Sequence, residues 1–107
     1  MKYNEISAHN IERAKYYGFD LQSNLLMEEY GELIQAVNKY KRKIYSGLSV
    51  YTSLDKLIEE IADVELMLEQ IKALLNISEK YIETWKKEKV ERTRMIIAKE
   101  LLDNGSV

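Results

Sequence analysis

At 107 residues the chain has the size of one domain, and a single copy this short buries only roughly 60–70% of its unfolded surface. Its 16 basic and 18 acidic residues leave a net charge of -2, which gives no general attraction to nucleic acid polymers or anionic membranes. The absence of Cys excludes disulfides, thiolate metal sites and a Cys nucleophile, and a lone His9 excludes a two-His metal site within one chain.

No apolar run approaches the roughly 20 residues of a membrane helix. The first ten residues, MKYNEISAHN, lack the apolar region of a secretory signal, so a cytoplasmic protein with no membrane partner is expected. Proline is absent, Gly numbers four, and Glu, Lys, Leu, Ile and Tyr are abundant, which is a helical profile.

A first helix is predicted over residues 3–17, with a modest stripe of Ile6, Ile11 and Ala14. Ser7 or Asn10 can start or cap a turn, and Gly18 suits a left-handed end. A second helix is predicted over 21–43. Leu26, Leu33, Val37 and Tyr40 form its stripe, widened by Leu25 and Ala36, with Glu29 inside it. Lys39, Lys41, Arg42 and Lys43 crowd its C-terminus, where cations complement the helix dipole. This run reads as a solvated helix end that is also able to meet phosphates.

Residues 44–51 read as a loop, after which Thr52 or Ser53 caps a third helix, Thr52 with Asp55 resembling a capping box. Leu57, Ile61, Val64, Leu68, Ile71 and Leu75 mark its stripe, with Glu60 beside it. Asn76 breaks the pattern and Ser78 is a good N-cap for a fourth helix to about Leu102. The expected fold is all-α: a four-helix antiparallel bundle in a single domain, with a core over about 3–102 and a flexible tail at 103–107.

Two acidic pairs stand out, Glu29 with Glu32 and Glu60 with Asp63. Residues i and i+3 lie about 60° apart around a helix, so each pair points to one side. Like charges at this spacing repel, and partial burial raises the cost sharply. A hard divalent cation offsets it, because Mg²⁺ prefers oxygen ligands and leaves positions open for phosphate. A solvated acidic face is the simpler reading of either pair alone. The repeat on neighbouring helices, each time within an apolar stripe, favours convergence. A ferritin-like di-iron site would need Glu-x-x-His elements, and His9 stands isolated as a surface residue.

The pattern Glu28-Glu29-x-x-Glu32 followed by Glu60-x-x-Asp63, within LLMEEYGELIQAVNKYKR and LIEEIADVELMLEQI, resembles the MazG-like nucleoside triphosphate pyrophosphohydrolases over roughly residues 20–95. The resemblance implies an all-α NTP pyrophosphatase fold that assembles as a dimer or dimer of dimers. It implies Mg²⁺ held by Glu29, Glu32, Glu60 and Asp63. It further implies hydrolysis of a nucleoside or deoxynucleoside triphosphate to the monophosphate and pyrophosphate. Glu28 matches the leading Glu, acting behind the ligands or orienting the attacking water. Lys89 and Arg92 match a basic pair on the last helix of the family, although Glu91 stands where family members commonly carry Asn.

On that reading Lys89 and Arg92 neutralise charge on the phosphate oxygens. No Gly-rich phosphate loop is present. Tyr81, Trp85, Lys89 and Arg92 share one helical face, an aromatic-to-basic strip able to hold base and phosphates. Packing in a core or at a subunit interface is the simpler reading of Tyr81 and Trp85. Tyr16, Tyr17 and Phe19 are a second candidate for base contact, with helix-end packing as their simpler role. Two other functional readings stay open: a non-catalytic nucleotide-binding or protein-interaction module, and a phosphohydrolase with another nucleotide substrate.

Overall fold

The computed structural model describes residues 1–47 and 49–105. Every regular element among them is helical: a 3-10 turn at Tyr3–Glu5, α1 at Ile6–Tyr17, α2 at Phe19–Ser46, α3 at Tyr51–Leu74 and α4 at Glu79–Asp103. The all-α class is therefore as expected. No helix among the described residues is long and apolar enough to cross a membrane. Leu48 in the expected loop, and Ser106 and Val107 in the expected tail, lie outside the described residues.

The helix ends follow local chemistry, with several shifts. Gly18 closes α1 at φ 86° and ψ 170°, a region open essentially to glycine alone, and not the left-handed helical end the sequence suggested. The chain re-enters a helix at once, so α2 begins before the predicted start. Gly47 caps α2 in the left-handed conformation, its N–H donating to the Ile44 carbonyl at 3.2 Å. Thr52 and Ser53 are not caps. Val50 occupies that position without a side-chain bond, and both hydroxyl residues lie inside α3. Ser7 and Asn10 also sit within α1, where their side chains serve tertiary bonds instead of a turn. Ser78 does cap α4, accepting from the Lys80 N–H at 3.2 Å.

The chain divides into two compact units, Met1–Asn76 and the segment from Ile77 onward. In the first, α2 and α3 form a long helical hairpin and α1 lies against both. Among the described residues its buried apolar side chains are few: Ala14, Ala36, Val64 and Met67. The buried face of α3 is Ser53, Glu60, Val64, Met67 and Gln70. That face is rotated from the predicted stripe, since Ile61, Leu68 and Leu75 are exposed. α3 is apolar on more than one side, and periodicity alone does not say which side the other helices cover.

A buried amide network ties the three helices together. Gln22 Nε2 donates to Gln70 Oε1 at 2.8 Å, and Gln70 Nε2 donates to Asn10 Oδ1 at 2.7 Å. Asn10 Nδ2 then donates to the Leu66 carbonyl and to Glu69 Oε1, each at 2.9 Å. Ser7 Oγ completes the chain by donating to Glu69 Oε2 at 2.9 Å. One-step slippage of α2 along α3 would strand these buried amides, so the network selects the register.

The second unit consists mainly of α4, none of whose residues is buried. Along it Arg92 pairs with Glu88 at 3.4 Å, and the Thr84 and Thr93 hydroxyls donate to the carbonyls of Lys80 and Lys89.

Candidate metal centre

The register set by the amides carries the acidic residues together. Gln22 faces Gln70, and seven residues further along α2 and seven back along α3, Glu29 faces Asp63. Glu60, one turn from Asp63, completes a group in which one carboxylate oxygen from each of Glu29, Glu60 and Asp63 lies within 4.8 Å of the others. Glu32 sits at the edge of this group. It is exposed, yet its charge is close enough to Glu29 to contribute to the repulsion there.

Burial makes this arrangement costly. Glu60 is only 2% exposed, and its Oε2 atom has no hydrogen-bond partner. Glu29 Oε2 is likewise buried and unpartnered. Two ionised carboxylates at such a separation repel by roughly 3.5 kcal/mol at an effective dielectric near 20. The Glu29 carboxyl is accordingly held above its ordinary value of 4.5, first by burial and then by the charges of Glu32, Asp63 and Glu60.

One cation answers part of this charge. Lys56 Nζ lies 2.8 Å from Glu60 Oε1 and 3.6 Å from Glu59 Oε2. The bond to Glu60 is the main reason the Lys56 ammonium is held above its ordinary value. Lys56 precedes Glu60 by one helical turn, a relationship visible in the sequence but not singled out there. A single ammonium leaves most of the negative charge unbalanced. All-oxygen donors, with two orphaned oxygens among them, match a hard divalent cation such as Mg²⁺.

An open cavity of about 350 Å³ adjoins the carboxylates, lined by Glu32, Gln35, Ala36, Lys39, Lys56 and Glu60. Glu28 lies elsewhere: it lines a different cavity with Arg13, Tyr17 and Gln22. Glu28 and Tyr17 thus border the same space. On α4, Tyr81 and Trp85 are exposed, as are Lys89 and Arg92, and Arg92 is engaged by Glu88. The amides of Asn10, Gln22 and Gln70, which fix the centre's register, escaped the sequence reading. The available signal was polar residues at helical spacing within apolar surroundings.

No protein-family model matches the chain, nor does any curated protein or solved structure.

Proposed function

We propose that the chain is a Mg²⁺-dependent hydrolase of nucleoside or deoxynucleoside triphosphates, releasing the monophosphate and pyrophosphate in the cytoplasm. The MazG-like resemblance suggests the reaction. The observation that supports it is the convergence of Glu29, Glu60 and Asp63 from two helices, with the buried Oε2 atoms of Glu29 and Glu60 unpartnered. Those three side chains would hold the ion, with Glu32 beside them. When bound, Mg²⁺ supplies Lewis acidity to a phosphoryl oxygen and makes a coordinated water more acidic. Glu32, exposed at the rim of the adjoining cavity, is the carboxylate best able to accept a proton from an attacking water. Lys39 and Lys56 line that cavity and can neutralise phosphate charge. Lys89 and Arg92 are the further basic pair that the resemblance assigns to phosphate, and Tyr81, Trp85 and Tyr17 are its candidate base contacts.

We also read the protein as a homodimer or homotetramer completed around a four-helix bundle. Met27 and Ile34 on α2, Ile58 on α3 and Ile96 and Ile97 on α4 are exposed apolar side chains that a second copy would cover. The same exposure on α4 favours the alternative, a non-catalytic interaction module. A panel of NTPs and dNTPs with Mg²⁺, scored for monophosphate and pyrophosphate, decides between them. Turnover abolished by EDTA and by Glu60→Ala is expected. No turnover and no Mg²⁺-dependent nucleotide binding across the panel would sink the enzyme reading.

A further inference from the structure

A second cavity, of about 520 Å³, lies where α2 ends and α3 begins. Its lining is Lys39, Lys43, Ser49, Thr52, Ser53 and Lys56, three ammonium groups and three hydroxyls with no carboxylate among them. Lys39 and Lys56 also line the cavity beside the acidic cluster, so the two spaces share a wall.

The chemistry of this lining is that of an anion site. Lys39 and Lys43 stand one helical turn apart, where like charges repel, and neither has an ion-pair partner among the described residues. Ser53 is 5% exposed, and its hydroxyl makes no hydrogen bond among the described residues although it faces this space. Held on a side chain this buried yet open to the cavity, the hydroxyl is a donor free to meet an acceptor there. The start of α3 adds to this, since it has no side-chain cap and its first N–H groups carry the positive end of the helix dipole.

We propose that this cavity binds the terminal phosphates of a polyphosphate, held by Lys39, Lys43 and Ser53, with Lys56 shared between the phosphates and the acidic cluster. Identifying the anion as a polyphosphate rests on the function proposed above. A single phosphate would leave part of the ammonium charge unanswered, whereas a chain of phosphates can extend past Lys39 and Lys56 to the carboxylates. Lys56 is the link. It binds Glu60 Oε1 at 2.8 Å, and a divalent cation drawn to Glu60 releases its ammonium toward the anion. Cation and polyphosphate therefore tighten each other's binding, reciprocally.

Calorimetry on the full chain tests this with inorganic pyrophosphate as probe, in Mg²⁺ and in EDTA, and with a non-hydrolysable nucleoside triphosphate in parallel. Lys43→Ala is expected to weaken both ligands about tenfold or more, and Lys43→Glu to abolish binding. Lys41→Ala, a change outside the cavity, is expected to leave binding unchanged. Mn²⁺ binding measured alone by electron paramagnetic resonance should be the same in Lys43→Ala as in the parent. Weakening of both ligands assigns the cavity to the phosphates and supports the site, whereas weakening of the nucleotide but not of pyrophosphate would place another part of the nucleotide there and overturn it. Equal losses from Lys41→Ala and Lys43→Ala would reduce it to diffuse surface charge and overturn it, as would parental binding by Lys43→Glu. If Mn²⁺ binds through Glu60 while pyrophosphate ignores Lys43, the cavity fails and the metal centre stands. Lysine-dependent pyrophosphate binding with no metal binding gives the reverse.

Discussion

Among the described residues Gln70 and Glu60 are the two largest fully buried side chains, both on α3. Both polar atoms of Gln70 have a partner, the oxygen accepting from Gln22 and the nitrogen donating to Asn10. Glu60 has one oxygen bonded by Lys56 and the other orphaned beside two more carboxylates. A satisfied buried amide holds helices in place. An unsatisfied buried carboxylate has no such structural use, and the function proposed above gives it one as a ligand. The first region builds the register on which the second depends.

The sharpest break of that contrast is Glu60→Gln. Loss of turnover by about a thousandfold is expected from removing a metal ligand, with a melting temperature equal to or above the parent's in EDTA. A large drop in melting temperature would instead make Glu60 a structural residue. Gln70→Ala should behave in the opposite way. It deletes two buried hydrogen bonds and leaves Asn10 Oδ1 and Gln22 Nε2 unanswered, so urea unfolding should show a loss of about 3 kcal/mol.

Metal addition sharpens the comparison further. Mg²⁺ at a hundred times its dissociation constant should stabilise the parent by about 2.7 kcal/mol, and leave Glu60→Gln unmoved in thermal melts.

A smaller effect comes from Glu29, whose carboxyl is raised in the fold by burial and its acidic neighbours. The folded state holds this proton to higher pH than the unfolded state does. Stability from this group is therefore greatest below its ordinary 4.5 and declines as pH rises from there through the raised value. Melting curves in EDTA should show this decline in the parent and lose it in Glu29→Gln. The smallest change is expected for Glu28→Gln, because Glu28 lines a separate cavity with Arg13 and Tyr17. Turnover within about threefold of the parent would be ordinary for an exposed residue away from the reacting groups; a much larger loss would restore the water-orienting role implied by the family motif.

Much of this was legible locally. Four helices, an end at Gly18 and the Ser78 cap follow from propensity and backbone freedom of individual residues, whereas α2 runs on to Ser46, past the end expected at residue 43 and into the expected loop. The pairing of Glu29 with Glu32, and of Glu60 with Asp63, on one side of each helix follows from helical geometry. Other features were misread for a physical reason. Ser7, Asn10, Thr52 and Ser53 have the chemistry of caps, but their side chains answer to residues or spaces outside their own helix. Lys56 was visible one turn before Glu60, yet only burial of Glu60 gives that contact weight.

What the sequence determined by itself is the angle between residues on one helix, since hydrogen bonding between near neighbours fixes rotation and rise. It thus set two acidic faces and a basic end to α2. Only the tertiary structure decided that Glu29 meets Asp63, that α3 buries Glu60 and Gln70 instead of Ile61 and Leu68, and that Lys39 and Lys43 share a space with Ser53. Those outcomes depend on the rotation and register of one helix against another, which side chains such as Gln22 and Gln70, 48 residues apart in the chain, settle through a bond that no local pattern encodes.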